Sequence, residues 1–488
     1  MKEHHNQSMP HKNLRQFVET LEASGELCRI KAEVDPVLEI SEIADRVSKA
    51  NGPALLFENI KGSSYPLLVN ALGSYGRMRL ALSCGSFDEI ANRLESTMKI
   101  RPPEGLVQKI KMLFALKEMA NIIPKKVKNA PCQEKVYLSG PLLDSLPILT
   151  CWPKDGGPFI TLPIVISKDP DTGIQNAGMY RMQKHDNTST GMHWQYNKDG
   201  TRHFDKYKSR GQRMEVAVAL GGTPSVTYAA TAPLPPDIDE LVFAGFLESR
   251  PIEIVKAKTV DLYVPAESDF VLEGYVDPSE ELLEGPFGDH TGFYSAAYLY
   301  PVFHVTALTC RNDAIYPATV VGKPPMEDCY MAKATERIFL PMLRFLIPEI
   351  VDMELPIEGV FHNCALVSID KKYPGQAKKV INALWGLGQV ASTKFIAIFD
   401  KDIDLRDTST VVWKLLNNVD PKRDLLISEG PLDALDHSAS YFNFGGKMGI
   451  DATRKTREEG MGRDWPDEIT MSPEIKDKVT TRWKEYGL

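Results

Sequence analysis

Apolar residues recur along this chain first at helical spacing, then at strand spacing, then at both in alternation. Leu14, Phe17, Val18 and Leu21 predict a helix that Gly25 stops, and Ile40, Ile43 and Val47 predict a second, ahead of a short strand over 54–57. Ser86, with Glu89 three residues on, predicts a capping box. Phe87, Ile90, Leu94 and Met98 give the apolar face behind it, and Arg101-Pro102-Pro103 closes the unit. A basic amphipathic stretch follows over 105–128, with Lys109, Lys111, Lys117, Lys125, Lys126 and Lys128 opposite Leu106, Ile110, Leu113, Phe114 and Ile122. It reads as a packed helix with a solvated basic face, or as a helix lying on an anionic membrane surface.

Over about 133–316 the period shortens to two. Met214, Val216, Val218 and Leu220 alternate, as do Ile252 and Ile254, and Phe303, Val305 and Ala307. Arg311-Asn312-Asp313 then predicts a hairpin turn into a strand over 315–321, and one helix interrupts over about 237–248. Many short strands with few helices predict a barrel or sandwich. Beyond about 322, strands over 365–369 and 395–399 alternate with helices over 376–387 and 409–418, which predicts an α/β layer. Ser472-Pro473 opens a last helix with an apolar stripe of Ile475, Val479 and Trp483 that needs something to pack on.

At 488 residues the chain has room for about three domains of roughly 150 residues each. A hydrophobic share of 43% with 25% charged residues rules out wholesale disorder. The net charge of −8 argues against a whole-protein grip on nucleic acid. No apolar run reaches the roughly 18 residues of a membrane span, and the polar start over 1–13 is not expected of a secretory signal. The seven cysteines, Cys28, Cys84, Cys132, Cys151, Cys310, Cys329 and Cys364, contain no Cys-x-x-Cys pair. They read as small core residues in a reducing compartment, and a cytoplasmic location is expected.

Walker, Gly-x-Gly-x-x-Gly, His-Glu-x-x-His and Gly-x-Ser-x-Gly motifs are all missing. Two polar stretches stand out instead. One runs from Gln175-Asn176-Ala177-Gly178-Met179-Tyr180-Arg181 through Thr190-Gly191-Met192-His193-Trp194-Gln195 to Lys198. The other is Glu284-Gly285-Pro286-Phe287-Gly288-Asp289-His290-Thr291-Gly292, where two carboxylates five residues apart are able to divide acid and base roles. By composition alone either is a solvated turn, and His193 by itself is a hydrogen-bonded structural histidine.

These stretches, with Gly25-Glu26-Leu27, Gly52-Pro53-Ala54-Leu55-Leu56-Phe57-Glu58-Asn59, Ala130-Pro131-Cys132-Gln133, Thr150-Cys151-Trp152-Pro153 and Lys447-Met448-Gly449-Ile450-Asp451-Ala452-Thr453, make the chain resemble the UbiD-type decarboxylases, which use prenylated FMN. The resemblance runs over essentially the whole chain, and is strongest to the branch acting on 4-hydroxy-3-polyprenylbenzoate in ubiquinone biosynthesis.

The resemblance implies an α+β multidomain fold. An N-terminal α/β region (1–125) is followed by a cofactor-binding split β-barrel similar to flavin reductases (126–321). A C-terminal α/β dimerisation domain with a terminal helix (322–488) completes it. The resemblance also implies Arg181, Glu284 and Asp289 as the catalytic set. Arg181 would hold the substrate carboxylate, Glu284 would orient Arg181, and Asp289 would protonate the carbon that loses CO2.

Met179, Tyr180, Arg181, His193, Trp194, Gln195, Lys198, Asp199 and Lys394 are implied as cofactor-binding residues. Asn176, Glu240 and Asn197, the last where the family usually has a histidine, are implied as ligands of manganese or magnesium beside a potassium ion. His193, four residues before Asn197, either supplements that ligand set or lines the flavin. A flavin prenyltransferase would supply the cofactor, and a homodimer or homohexamer is expected. A small hydroxybenzoate, or a naphthoate of another quinone route, is the alternative substrate. A flavin-binding subunit of a multi-subunit decarboxylase is the alternative role. A long prenyl tail would call for an apolar channel or peripheral contact with the inner face of the cell membrane.

Overall fold

Asn13 opens the first helix, Leu14–Ala23, by accepting the Gln16 N–H, and Gly25 in the left-handed region ends it. Its four apolar residues are buried, each contributing about 1.5–3 kcal/mol. The computed structural model describes residues 9–99, 120–195, 198–235 and 238–487.

The second expected helix spans Glu39–Lys49, and the strand after it Ala54–Ile60. The helix Phe87–Met98 forms, but the capping box does not: Ser86 makes no side-chain cap, and Glu89 accepts the Gly85 N–H instead. Most of the basic stretch lies outside the described residues. Its end, Lys125–Val127, is a strand pairing in parallel with Glu253–Lys256, so the expected helix does not reach residue 128.

A four-stranded sheet in the N-terminal part runs Leu27–Val34, Ala54–Ile60, Leu67–Val69, Tyr316–Pro317. The last strand corrects a reading. Residues 315–321 do not fold back on Tyr298–Cys310 as a hairpin. Tyr316 and Pro317 pair in parallel with Leu67 and Leu68, tying the first part of the chain to the middle.

The central sheet has seven strands. Six lie in the order Ser189–Gly191, Tyr298–Cys310, Phe270–Glu284, Met214–Leu220, Ile164–Lys168, Gln175–Met179, and Lys135–Tyr137 adds to Tyr298–Cys310. The expected barrel is not closed. Ser189–Gly191 and Gln175–Met179 end the sheet without pairing to each other. The register of the long pair breaks at Glu273/Gly274 and at Val276/Glu281, as β-bulges do. Alternation along Met214–Leu220 separates two buried faces, not core from solvent. Val216, Val218 and Leu220 enter one core; Ala217 and Ala219 enter another, shared with helices Pro224–Ala229 and Glu240–Glu248.

The α/β layer forms as expected, with parallel strands Cys364–Ile369, Phe395–Asp400 and Phe444–Asp451 flanked by antiparallel Ile350–Glu354 and Leu425–Pro431. The last helix, Pro473–Thr481, has no buried residue, and Ile475 and Trp483 of its stripe are exposed. None of the seven cysteines is paired. No helix among the described residues is long and apolar enough to cross a membrane.

Candidate active site

The strand Phe270–Glu284 delivers Glu284 at its last residue, and a fixed loop carries Asp289 back beside it. That loop is held from both sides. Gly288 N–H donates to Asp155 at 2.8 Å, Gly285 N–H to Gln183 at 2.7 Å, and Gly156 N–H to the Pro286 carbonyl at 2.7 Å. The Trp152 indole fills the space a side chain at Gly288 would need, with Nε1–H donating to the Val321 carbonyl at 2.9 Å. Asp155 also accepts the Cys151 and Trp152 N–H groups. Thr150-Cys151-Trp152-Pro153 is thus the buttress of the acidic loop.

Arg181 follows the edge strand Gln175–Met179 and joins both acids. Its Nε lies 3.5 Å from Glu284 Oε1, its Nη1 pairs with Asp289 Oδ2, and its Nη2 donates to Ser295 at 3.2 Å. The Phe287 ring lies 4.8 Å from the guanidinium carbon. Glu284 is 1% exposed and Asp289 5%, so charges here act through little intervening water. Burial pushes the Asp289 carboxyl up, but the His290 hydrogen bond and the Arg181 charge outweigh it and hold the group well below the usual carboxylate range. Without a ligand on Arg181, Asp289 is ionised.

His193 donates from Nδ1 to Glu284 Oε1 at 2.8 Å and lies against the Tyr300 ring. Burial lowers its basicity more than Glu284 raises it. The other Glu284 oxygen, Oε2, is buried without a partner, and a Cβ on Gly191 would sit 2.4 Å from it.

A second constellation lies across the edge strand. Glu240 opens the buried helix Glu240–Glu248; its Oε1 accepts from Asn176 Nδ2 at 2.6 Å and its Oε2 from the Ala177 N–H at 2.8 Å. Burial pushes the Glu240 carboxyl up to about 8. Asn176 Oδ1 is buried with no partner. A buried carboxylate beside an orphaned amide oxygen, with no thiolate, fits a hard divalent cation. Asn197 lies outside the described residues. His193, hydrogen-bonded to Glu284, makes no hydrogen bond to Asn176 or Glu240.

The remaining expected residues are spread along the two flanking segments. Met179 N–H donates to the Ala230 carbonyl, and the Tyr180 hydroxyl accepts from Gly200 N–H at 3.4 Å. Trp194 is buried with Nε1 unpartnered. Gln195 lends its carbonyl to Lys198 N–H and Thr201, Lys198 precedes the helix Asp199–Ser209, and Asp199 pairs with Arg202. Lys394 belongs to the C-terminal layer, where Asp436 and Ser438 hold its ammonium.

Two residues gave no sequence signal of their own. His290 Nδ1 is 2.9 Å from Asp289 Oδ1, and His290 Nε2 is 2.7 Å from His362 Nε2. His290 stood inside the quoted acidic stretch, whereas His362 comes from a turn 72 residues downstream.

Models of the 3-octaprenyl-4-hydroxybenzoate carboxy-lyase domains match in chain order: the N-terminal domain over 18–94, the Rift-related domain over 125–324 and the C-terminal domain over 329–452. An uncharacterized protein of Archaeoglobus fulgidus is 52% identical over 479 residues, covering 98% of this chain and 99% of its own. The closed form of vanillic acid decarboxylase from Sedimentibacter hydroxybenzoicus is 28% identical with a TM-score of 0.85, covering 98% of this chain and 99% of that one. The UbiD-class enzyme HmfF from Pelotomaculum thermopropionicum, solved in complex with FMN, is 29% identical with a TM-score of 0.79 over 96% of this chain and 99% of its own.

Proposed function

The chain belongs to the UbiD family, and from that premise we propose that it is a prenylated-FMN-dependent carboxy-lyase that removes CO2, without oxidation, from a 4-hydroxybenzoate-type acid. The observation that carries this reading is Arg181, buried between Glu284 and Asp289. When bound, the prenylated flavin supplies the electron sink that loss of CO2 from an aromatic ring requires.

The chain's own groups then divide the work. Arg181 takes the substrate carboxylate in its planar fork. Glu284, steadied by His193, keeps the guanidinium aimed through Nε. A substrate carboxylate on Arg181 competes with Asp289 for that charge, so Asp289 becomes basic enough to carry a proton as substrate enters. Asp289 gives that proton to the carbon that loses CO2, and burial of both acids keeps bulk water from doing so first.

Asn176 and Glu240 would hold manganese or magnesium, with Asn197 as third ligand and a potassium ion beside them, to neutralise the flavin phosphate. Met179, Tyr180, His193, Trp194, Gln195, Lys198 and Asp199 would line the flavin, with Lys394 approaching from the C-terminal layer. Divisions after residues 125 and 321, a flavin prenyltransferase as supplier and a homodimer or homohexamer belong to the same reading.

For substrate we take a polyprenylated benzoate first. Phe293, Tyr294, Tyr298 and Leu299 expose apolar surface beside the catalytic loop, and Tyr298 meets Phe442 of the C-terminal layer at 5.2 Å. A small hydroxybenzoate is supported instead by the likeness to vanillic acid decarboxylase. The test is enzyme co-expressed with a flavin prenyltransferase and given 4-hydroxybenzoates with and without a 3-prenyl tail, together with a naphthoate. Higher kcat/KM with the tail supports the first reading, and higher kcat/KM without it moves the assignment to small acids. Bound flavin with turnover only after a second protein is added means that the chain is a subunit.

A further inference from the structure

We propose that Ser295 is a substrate-binding residue, its hydroxyl donating to the aromatic carboxylate that Arg181 holds. The inference rests on the reading of Arg181 as the carboxylate site and adds a second donor to it.

A serine hydroxyl has one hydrogen to donate and two lone pairs that accept. Both lone pairs of Ser295 Oγ are in use. Arg181 Nη2 donates to it at 3.2 Å, and the Phe287 backbone N–H donates to it at 3.2 Å. A guanidinium and a backbone N–H offer no lone pair, so neither is able to take the serine hydrogen in return. Among the described residues Ser295 Oγ donates to no acceptor. The two neighbouring acids are engaged elsewhere. Asp289 Oδ2 pairs with Arg181, and its Oδ1 accepts from the His290 backbone at 2.8 Å and from His290 Nδ1 at 2.9 Å. Glu284 Oε1 accepts from His193 at 2.8 Å, and its Oε2 is buried without a partner. The hydroxyl hydrogen is therefore left for a ligand, beside the nitrogen fork that binds one.

Ser295 is held in place by its backbone. Its N–H donates to the Phe287 carbonyl at 2.8 Å, and the Asp289 N–H donates to the Phe293 carbonyl at 3.1 Å. Gly288 and Tyr294 pair between these two bonds as an antiparallel bridge, and the Tyr294 hydroxyl accepts the Lys154 N–H at 3.2 Å. Segment 293–295 thus lies fixed along 287–289 whether or not residue 295 carries a hydroxyl. Glu284 and Asp289 are buried, whereas Ser295 keeps part of its surface open, so a ligand reaches Arg181 from the serine side.

The guanidinium has room for this ligand. Each terminal nitrogen carries two hydrogens. One on Nη1 goes to Asp289 and one on Nη2 to Ser295, which leaves one on each for a carboxylate. A carboxylate seated on that pair has one oxygen beside Nη2, next to Oγ, and takes the serine hydrogen there. The bond forms to a full negative charge, which makes it a strong one. That charge disappears when CO2 leaves. Ser295 therefore favours the aromatic acid over its decarboxylated phenol, so it selects substrate and does not retain product.

The test uses flavin-loaded enzyme carrying Ser295→Ala or the near-isosteric Ser295→Cys, whose thiol is a weak donor, with Ser295→Thr as the conservative variant. The probes are the 4-hydroxybenzoic acid that the parent turns over best and, as competitive inhibitor, the phenol formed from it. Ser295→Ala and Ser295→Cys are expected to raise KM for the acid by about 10–100-fold, the range for a hydrogen bond to a charged group, with kcat falling far less. The inhibition constant of the phenol stays at the parent value, and Ser295→Thr restores KM. Flavin content and Tm report on the loop; where Ser295→Ala loses flavin, Ser295→Cys decides.

An unchanged KM in Ser295→Ala and Ser295→Cys overturns the assignment. So does an equal rise in KM and in the phenol inhibition constant, which would make Ser295 a wall of the pocket. A fall in kcat alone also overturns it, because Ser295 would then act only by supporting Arg181. Arg181→Ala, measured beside them, tests the underlying reading. If it is inactive while the Ser295 variants match the parent, that reading stands without this inference. An Arg181→Ala enzyme with parental KM and kcat removes both.

Discussion

Gly191 and Glu284 are fitted to each other: a single methyl group at residue 191 would lie 2.4 Å from Glu284 Oε2. In the proposed reading Glu284 aims Arg181, and its Oε2, the atom that would be met, is buried without a partner. Gly191→Ala is therefore expected to displace the carboxylate and turn Arg181 off its line, lowering kcat by about 10²-fold, as misplacements near 1 Å do. Tm should change little. Steady-state kinetics beside a melting curve measure both, and unchanged kcat would mean that Glu284 does not orient the arginine.

Asp289→Asn keeps the shape of the side chain and removes its proton. Turnover should fall by about 10³-fold or more while flavin content stays at the parent level. Flavin absorbance of the purified variant separates the two effects. Loss of flavin together with activity would assign Asp289 to cofactor binding.

Glu240→Gln should retain the fold, because the amide oxygen still accepts the Ala177 N–H. It should also deplete bound manganese and flavin together, since a cation held as proposed would lose its one charged ligand among the described residues. Metal analysis and the flavin-to-protein ratio of the same preparation check this. Unchanged manganese would remove Glu240 from the site.

The turn that presents Asn176 has its own pH dependence. Asp169 accepts the Asp171 and Thr172 N–H groups and pairs with Lys206 at 2.6 Å. Burial raises its carboxyl, yet these partners prevail and depress it to about 2. A depressed acid contributes stability that is present above its unfolded value, near 3.9, and is lost as pH falls through the folded value. Asp169→Asn should therefore lower Tm most at neutral pH, with the gap closing toward pH 2. A gap that is constant with pH would mean that the ion pair and turn contribute nothing through ionisation.

Much of this arrangement was legible in the sequence because it is local. Leu14, Phe17, Val18 and Leu21 share one face of one helix, and Glu284 ends a strand whose following loop carries Asp289. What was missed depends on distant partners. Residues 315–321 looked like the return strand of a hairpin, yet Tyr316 and Pro317 are drawn to a parallel edge offered by Leu67 and Leu68. Alternation along Met214–Leu220 marks a strand but not what covers its second face, where small Ala217 and Ala219 pack in a core shared with two helices. Arg181 meets Glu284 across 103 residues, a contact that no local spacing reveals. His362, one histidine in a turn of the C-terminal layer, acquires meaning only when the fold sets it against His290.

The account is tested most directly by following labelled carbon. Protein co-expressed with a flavin prenyltransferase is given 4-hydroxybenzoic acids carrying 13C in the carboxyl group, and released 13CO2 is measured against the flavin-free protein. Release that requires both the prenylated flavin and Arg181, and that vanishes in Arg181→Ala, is the predicted result. Flavin-loaded protein that releases no 13CO2 from any acid, or that releases it equally without Arg181, would contradict the account.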